Sequence, residues 1–149
     1  MKSRTRARCA ALQALYEIDL TGHQPGFVLQ QRIVDEELDE KMSIFANQIV
    51  FGVLPLVKEL DQFIAEHAPE WPLDQIATID RNILRIALWE FAVNGETPVK
   101  VAINEAVDLA KRFGSDSSPR FINGVLGGLA PRANEIQQAF KHNIDKSKS

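Results

Sequence analysis

Residues 78–93 read TIDRNILRIALWEFAV. Ile79, Ile83, Leu84, Ile86, Leu88 and Phe91 recur at helical spacing and cover most of the circumference. A helix that is apolar nearly all round must be enclosed by other helices, so this stretch predicts the centre of a bundle. Glu90 falls on the face of Ile79, Ile83 and Ile86. A partly buried acid there calls for a structural ion pair with an arginine or lysine of a neighbouring helix rather than for catalysis.

The neighbours carry the same period. After NGETP, residues 101–113 place Ala102, Ile103, Ala106, Val107, Leu109, Ala110 and Phe113 on one face. Asn104, Glu105, Asp108, Lys111 and Arg112 share the other, with Asp108 and Arg112 spaced as a solvated i,i+4 pair. GSDSSP then predicts a loop, a Ser118 N-cap and Pro119 at the first helical position, with a helix to about Ala130. Upstream, helices are predicted over roughly 4–20, 26–37 and 40–67, the last kinked or broken near Gly52 and Pro55. A final helix leads into KHNIDKSKS, a polar tail expected to fray over 142–149. No segment alternates at period two. The expectation is an all-α fold of about seven helices in a single domain, 1–149.

Composition agrees: 149 residues, 45% hydrophobic and 25% charged, are ordinary values for a globular chain. Cys9 is the single cysteine, which rules out an intrachain disulfide and fits a reducing cytoplasm. The longest uncharged apolar run, IVFGVLPLV, is too short to span a bilayer. Gln13, Tyr16, Glu17 and Asp19 interrupt any secretory signal. The first 16 residues also suit a transit peptide on composition, but they continue without a break into a helical core pattern.

No catalytic set stands out. His23, His67 and His142 are scattered without metal spacing, and no P-loop, GxGxxG, HExxH or GxSxG is present. Neither a cofactor nor a metal is expected, and the chain does not read as an enzyme.

Charge is placed unevenly. Lys2, Arg4, Arg6 and Arg8 precede the first acid, Glu17, in a chain of net charge −3. Cations at a helix N-terminus oppose the macrodipole. Arg4 and Arg8 also continue the stripe of Ala11, Leu15 and Ile18. The first turns, 1–8, are therefore expected to overhang the body, exposed on all sides, or to remain unwound, as a phosphate-binding extension. A second polar region, LAKRFGSDSSPRFINGVLGG, interleaves Lys111, Arg112 and Arg120 with Phe113 and Phe121, a mixture that suits single-stranded nucleic acid. The competing reading puts both rings in the core. Gly124, Gly127 and Gly128 leave one helix side almost bare, which predicts a close approach by a helix or ligand.

The stretches RTRARCAALQALYEIDL, FANQIVFGV, WPLDQIATIDRNILRIALWEF and PVKVAINEAVDLAKRFGSDSSPRFINGVLGGLA together resemble the NusB family of bacterial transcription antitermination factors, collinearly over about residues 4–131. The resemblance implies two packed helical subdomains. It also implies binding of boxA RNA in nascent transcripts, jointly with the ribosomal protein NusE, within an RNA polymerase antitermination complex that supports ribosomal RNA synthesis. By position it implies RNA contacts at Arg4, Arg6, Arg8, Gln13, Phe113, Arg120 and Phe121, and NusE contacts at Tyr16 and Asp80. A homodimer that hides the RNA surface is compatible with it. Two departures are visible: Thr5 interrupts the basic run, and Gly127 stands where the family motif NGVLD has its acid. A helical protein-interaction module without RNA binding is the alternative. Arg4→Ala and Arg8→Ala are expected to weaken RNA binding with little effect on thermal stability.

Overall fold

The computed structural model describes residues 1–68 and 73–148. Within WPLDQ, residues 71 and 72 lie outside that set.

The 78–93 stretch forms the central rod. Helix α5, Thr78–Leu88, is buried on nearly every side, with Asn82 through Leu88 all enclosed. It runs on without a break through one π-helical turn, Trp89–Asn94, which Gly95 ends at φ 72° by donating its N–H to the Glu90 carbonyl. The wider π turn buries four successive side chains, Trp89, Glu90, Phe91 and Ala92.

Helices α1 (Ser3–Thr21), α2 (Pro25–Asp35) and α3 (Glu40–Val53) pack together on one side of that rod. Helices α4 (Val57–Glu66), α6 (Val99–Phe113), α7 (Ser118–Leu129) and α8 (Ala133–Lys148) pack around the rest of it. A 3₁₀ turn at Leu54–Leu56 joins α3 to α4, at the proline where a kink is expected. A second 3₁₀ turn, Ala130–Arg132, joins α7 to α8, which continues through the tail to Lys148. The described residues thus make six continuous helical rods, two of them bent, and contain no strand. The bent rod Glu40–Glu66 is long and apolar enough by length and composition to cross a membrane. Its inner face, with Phe45, Ile49, Val53, Leu60 and Ile64, instead forms part of the core.

Two details depart from expectation. Helix α7 begins one residue early, so Ser118 is its first residue. Its hydroxyl accepts the Ser115 N–H at 2.9 Å instead of capping the helix. Among the described residues, the bare glycines Gly124 and Gly127 of α7 meet no neighbour, whereas Gly128 meets the His67 ring. A tight approach is at Gly52, where a Cβ would sit 2.5 Å from the Trp89 indole. Gly52 is the clearance that lets α3 lie on the central rod.

Candidate nucleic-acid and partner interface

Helix α1 positions most of the expected site residues, and it does not overhang. Its alanines allow α2, α3 and α5 to come close from several sides, so Ala7 and Cys9 through Leu12 are buried almost around the helix. Arg8 is drawn inside with them. Its side chain is 4% exposed and meets Glu90, 1% exposed, through two hydrogen bonds: Nε to Oε2 at 2.8 Å and Nη2 to Oε1 at 2.7 Å. Thr97 donates to the same carboxylate at 2.9 Å. Glu105 lies 3.6 Å from Arg8 Nη1 and accepts a bond from the buried Thr5 hydroxyl at 3.0 Å. Burial pulls the Arg8 pKa down, but the bond and charge of Glu90 with the charge of Glu105 outweigh it, so the guanidinium stays charged. The expected exposure of Arg8 is overturned; it holds α1 to the π turn and to α6. Thr5 breaks the cationic run because its side chain faces Glu105.

The other two arginines reach the surface on different sides. Arg4 is exposed, its guanidinium 4.4 Å from the centre of the Phe45 ring. It rims a cavity of about 400 Å³ with Lys41, Gln48 and Glu96. Arg6 donates from Nη2 to the Glu36 carbonyl at 2.7 Å and lines a second cavity, of about 360 Å³. Cys9, Gln13, Arg112 and Phe113 line that cavity with it. The two polar regions, a hundred residues apart in the chain, therefore meet.

Gln13 and Phe113 also wall the next cavity, a groove of about 720 Å³ along α1. Tyr16, 40% exposed, and Leu20 sit in it beside Ala77, Thr78 and Ile79 at the start of α5. Phe113 is 36% exposed, so it belongs to this surface rather than to the core. Gln13 is fixed at both ends, donating to the Cys9 carbonyl and accepting from Arg32, each at 3.2 Å.

Arg120 and Phe121 line a further cavity of about 410 Å³ with Gln75, Ser115 and Ser117. Asp80 lines it too, although it was expected beside Tyr16. The first turn of α5 sends Ala77, Thr78 and Ile79 to the groove and leaves Asp80 on the Phe121 side. Asp80 is only 7% exposed, and its Oδ1 has no hydrogen-bond partner among the described residues. Burial pushes its pKa up against the opposing effect of a Ser118 hydrogen bond.

Seven of the nine expected site residues thus line one face, running from α1 across the end of α6 to the starts of α5 and α7. Arg4 faces a separate cavity against α3, and Arg8 is buried beneath the first turns of α1. Sequence reasoning passed over Arg32, which ties α2 to Gln13 of α1 while pairing with Asp35 within its own helix. It read Arg112 both as a solvated pair with Asp108 and as part of the second polar region; the pair is present at 3.0 Å, and the same side chain lines the cavity.

A helical bundle whose polar surface is built of arginines, exposed aromatic rings and an apolar groove is a binding module. The NusB family model matches residues 5–131. The transcription antitermination protein NusB of Chloroflexus aggregans is 47% identical over 131 residues, 87% of each chain. That of Bacillus subtilis is 45% identical over 130 residues, 87% of this chain and 95% of its own. Among solved structures, T. maritima NusB superimposes with TM-score 0.81 at 29% identity, covering 91% of this chain and 96% of that one. The antitermination factors NusB and NusE in complex with double-stranded RNA give TM-score 0.80 at 25% identity, covering 88% and 98%. This chain belongs to the NusB family, which comprises transcription antitermination factors and not enzymes.

Proposed function

We propose that this protein is a cytoplasmic transcription antitermination factor that binds boxA-type single-stranded RNA of nascent transcripts together with NusE. In that complex it joins RNA polymerase and supports ribosomal RNA synthesis. The observation that carries the reading is the meeting of Arg6 and Gln13 of α1 with Arg112 and Phe113 of α6 around one cavity. Guanidinium groups suit phosphates, and an exposed ring offers a face for a base. Arg4, Arg120 and Phe121 extend the RNA surface at its two ends. Arg8 acts from below, holding the first turn in register so that Arg4 and Arg6 emerge on their respective sides. Tyr16 and Leu20 in the apolar groove supply the NusE face, and Asp80 belongs to the Phe121 cavity. A solved relative that contains NusB, NusE and double-stranded RNA supports NusE and RNA as partners.

The test is a titration of labelled boxA-type RNA at two salt concentrations, with and without NusE. Binding that tightens with NusE and weakens as salt rises is the expected result. NusE binding without RNA binding under either condition would leave a protein-interaction module and refute the RNA reading.

A further inference from the structure

The outer face of α3 carries no charge. Sixteen residues, Met42 to Val57, pass between Lys41 and Lys58 without an ionisable side chain. Ile44, Gln48, Phe51 and Pro55 are exposed along this run and follow one another at intervals of four, three and four. That is the spacing of a seam between two helices. Ile44 and Phe51 are each about half exposed, on a side that a solvated helix covers with charged residues.

Beside Ile44 lies the cavity of about 400 Å³ that Arg4 rims. Met42 and Phe45 supply apolar walls, and Gln48 and Glu96 lie at its sides. Arg4 and Glu96 are of opposite sign, so the hollow as a whole does not select an anion. It has room for an aromatic ring, and Phe51 stands two turns further along the same face. Two copies with α3 antiparallel, about a two-fold axis between Asn47 and Gln48, bring residue 44 of each opposite residue 51 of the other. Each Phe51 then enters the other copy's cavity beside Ile44, so one knob and one hole per copy are filled together, as an isologous contact requires. The side-chain amides of Asn47 and Gln48 come together across the axis. The ends agree in charge as well. Glu37, Asp39 and Glu40, against Lys41 alone, lead into α3, and Lys58 is exposed beyond its far end. Glu59, next to Lys58, has a buried carboxylate oxygen and is turned inward. The antiparallel pairing sets the acidic end of each copy towards Lys58 of the other, whereas a parallel one sets like ends together.

We propose that the outer face of α3 is a self-association surface, on which two copies of this chain pack α3 antiparallel to α3 with each Phe51 seated beside the other copy's Ile44. No α3 residue lines the groove beside Tyr16 or the cavity of Arg6 and Phe113, so the contact covers neither.

Sedimentation velocity of the full-length protein over a range of concentrations, without RNA or NusE, reads the association. A dimer whose fraction rises with concentration is expected. Phe51→Ser should weaken it by about a hundredfold, because each dimer loses two inserted rings. Phe27→Ser, at an exposed ring of α2 outside this face, should leave it unchanged. Both rings are exposed, so the fold is retained, and melting curves run alongside check this. The register has its own readout. Gln48→Cys, next to the axis, should give a disulfide-linked dimer under mild oxidation, and Lys58→Cys, at opposite ends of the pair, should not. Cys9 is buried and does not compete. A wild type that stays monomeric at every concentration would overturn the proposal, as would a dimer that survives Phe51→Ser. Cross-linking through Lys58→Cys, or none through Gln48→Cys, would overturn the antiparallel seam. None of these readouts involves RNA, so they stand or fall apart from the RNA-binding reading.

Discussion

Arg8→Met separates an arginine that touches RNA from one that holds the fold. The native side chain is 4% exposed and bonds Glu90 at two points, with Thr97 donating to the same carboxylate and Glu105 close by. Removing the cation leaves a buried carboxylate with only a hydroxyl for a partner. Breaking a buried pair from one side costs about 3–5 kcal/mol. That is a large part of the roughly 5–15 kcal/mol by which domains are stable. For a chain of this length it lowers the melting temperature by roughly 10 °C. Thermal and urea denaturation read the loss directly, and RNA titration well below the new melting point reads the folded fraction. Glu90→Leu should cost a similar amount alone. The double variant Arg8→Met/Glu90→Leu should recover part of the loss, because no charge then remains unpaired. An Arg8→Met protein that melts with the wild type yet loses RNA affinity would refute this account and return Arg8 to the surface.

Other perturbations test other parts of the molecule. Asp80→Asn should stabilise the protein at neutral pH: the folded state raises this carboxyl's pKa, chiefly by burial, so it binds the proton more tightly than the unfolded chain does. Stability then falls as pH rises through the window above the unfolded value of about 3.9, and the variant's advantage should vanish in acid below it. Equal stability curves for the two proteins across pH would show that Asp80 carries no such penalty. Gly52→Ala should destabilise by about 1–3 kcal/mol and shift Trp89 fluorescence, since the new methyl meets the indole at 2.5 Å. Arg4→Ala should weaken RNA binding and lower its salt slope while leaving the melting curve nearly unchanged, because that side chain is exposed on Phe45. Tyr16→Ala should weaken NusE binding and leave RNA binding in the absence of NusE unaltered, measured by titrating each ligand separately.

The bundle was legible wherever apolar residues mark a face. The enclosed 78–93 helix, the break at Pro55 and the inward face of α6 all follow from spacing and proline chemistry. Glu90 could be read as needing a cation, but its partner lies 82 residues away, and helical spacing carries no information about such a pairing. Helix α1 misled for a related reason. A wheel shows one apolar stripe, whereas alanine is small enough to admit neighbours from several directions, so Arg8 could be enclosed despite continuing that stripe. The glycines show the same limit: composition flagged Gly124 and Gly127, which meet nothing among the described residues, whereas a steric demand falls at Gly52 beneath Trp89. In the candidate site, the residue types could be read from the sequence, but not which of them the fold brings together. The division of Asp80 from Tyr16 depended on which way one turn of α5 faces.

Gln13 and Phe113 stand in the wall between the cavity of Arg6 and Arg112 and the groove beside Tyr16, so neither cavity owns them. Gln13 is already held at both ends, so the ligand that arrives first need fix only the Phe113 ring, and the second meets a wall already ordered. The entropy of ordering is then charged to one binding event, which makes the two ligands cooperative without any movement of the backbone. Such linkage is reciprocal: the factor by which NusE tightens RNA binding must equal the factor by which RNA tightens NusE binding. Phe113→Ala, which removes most of the shared partition, should bring both factors towards one together.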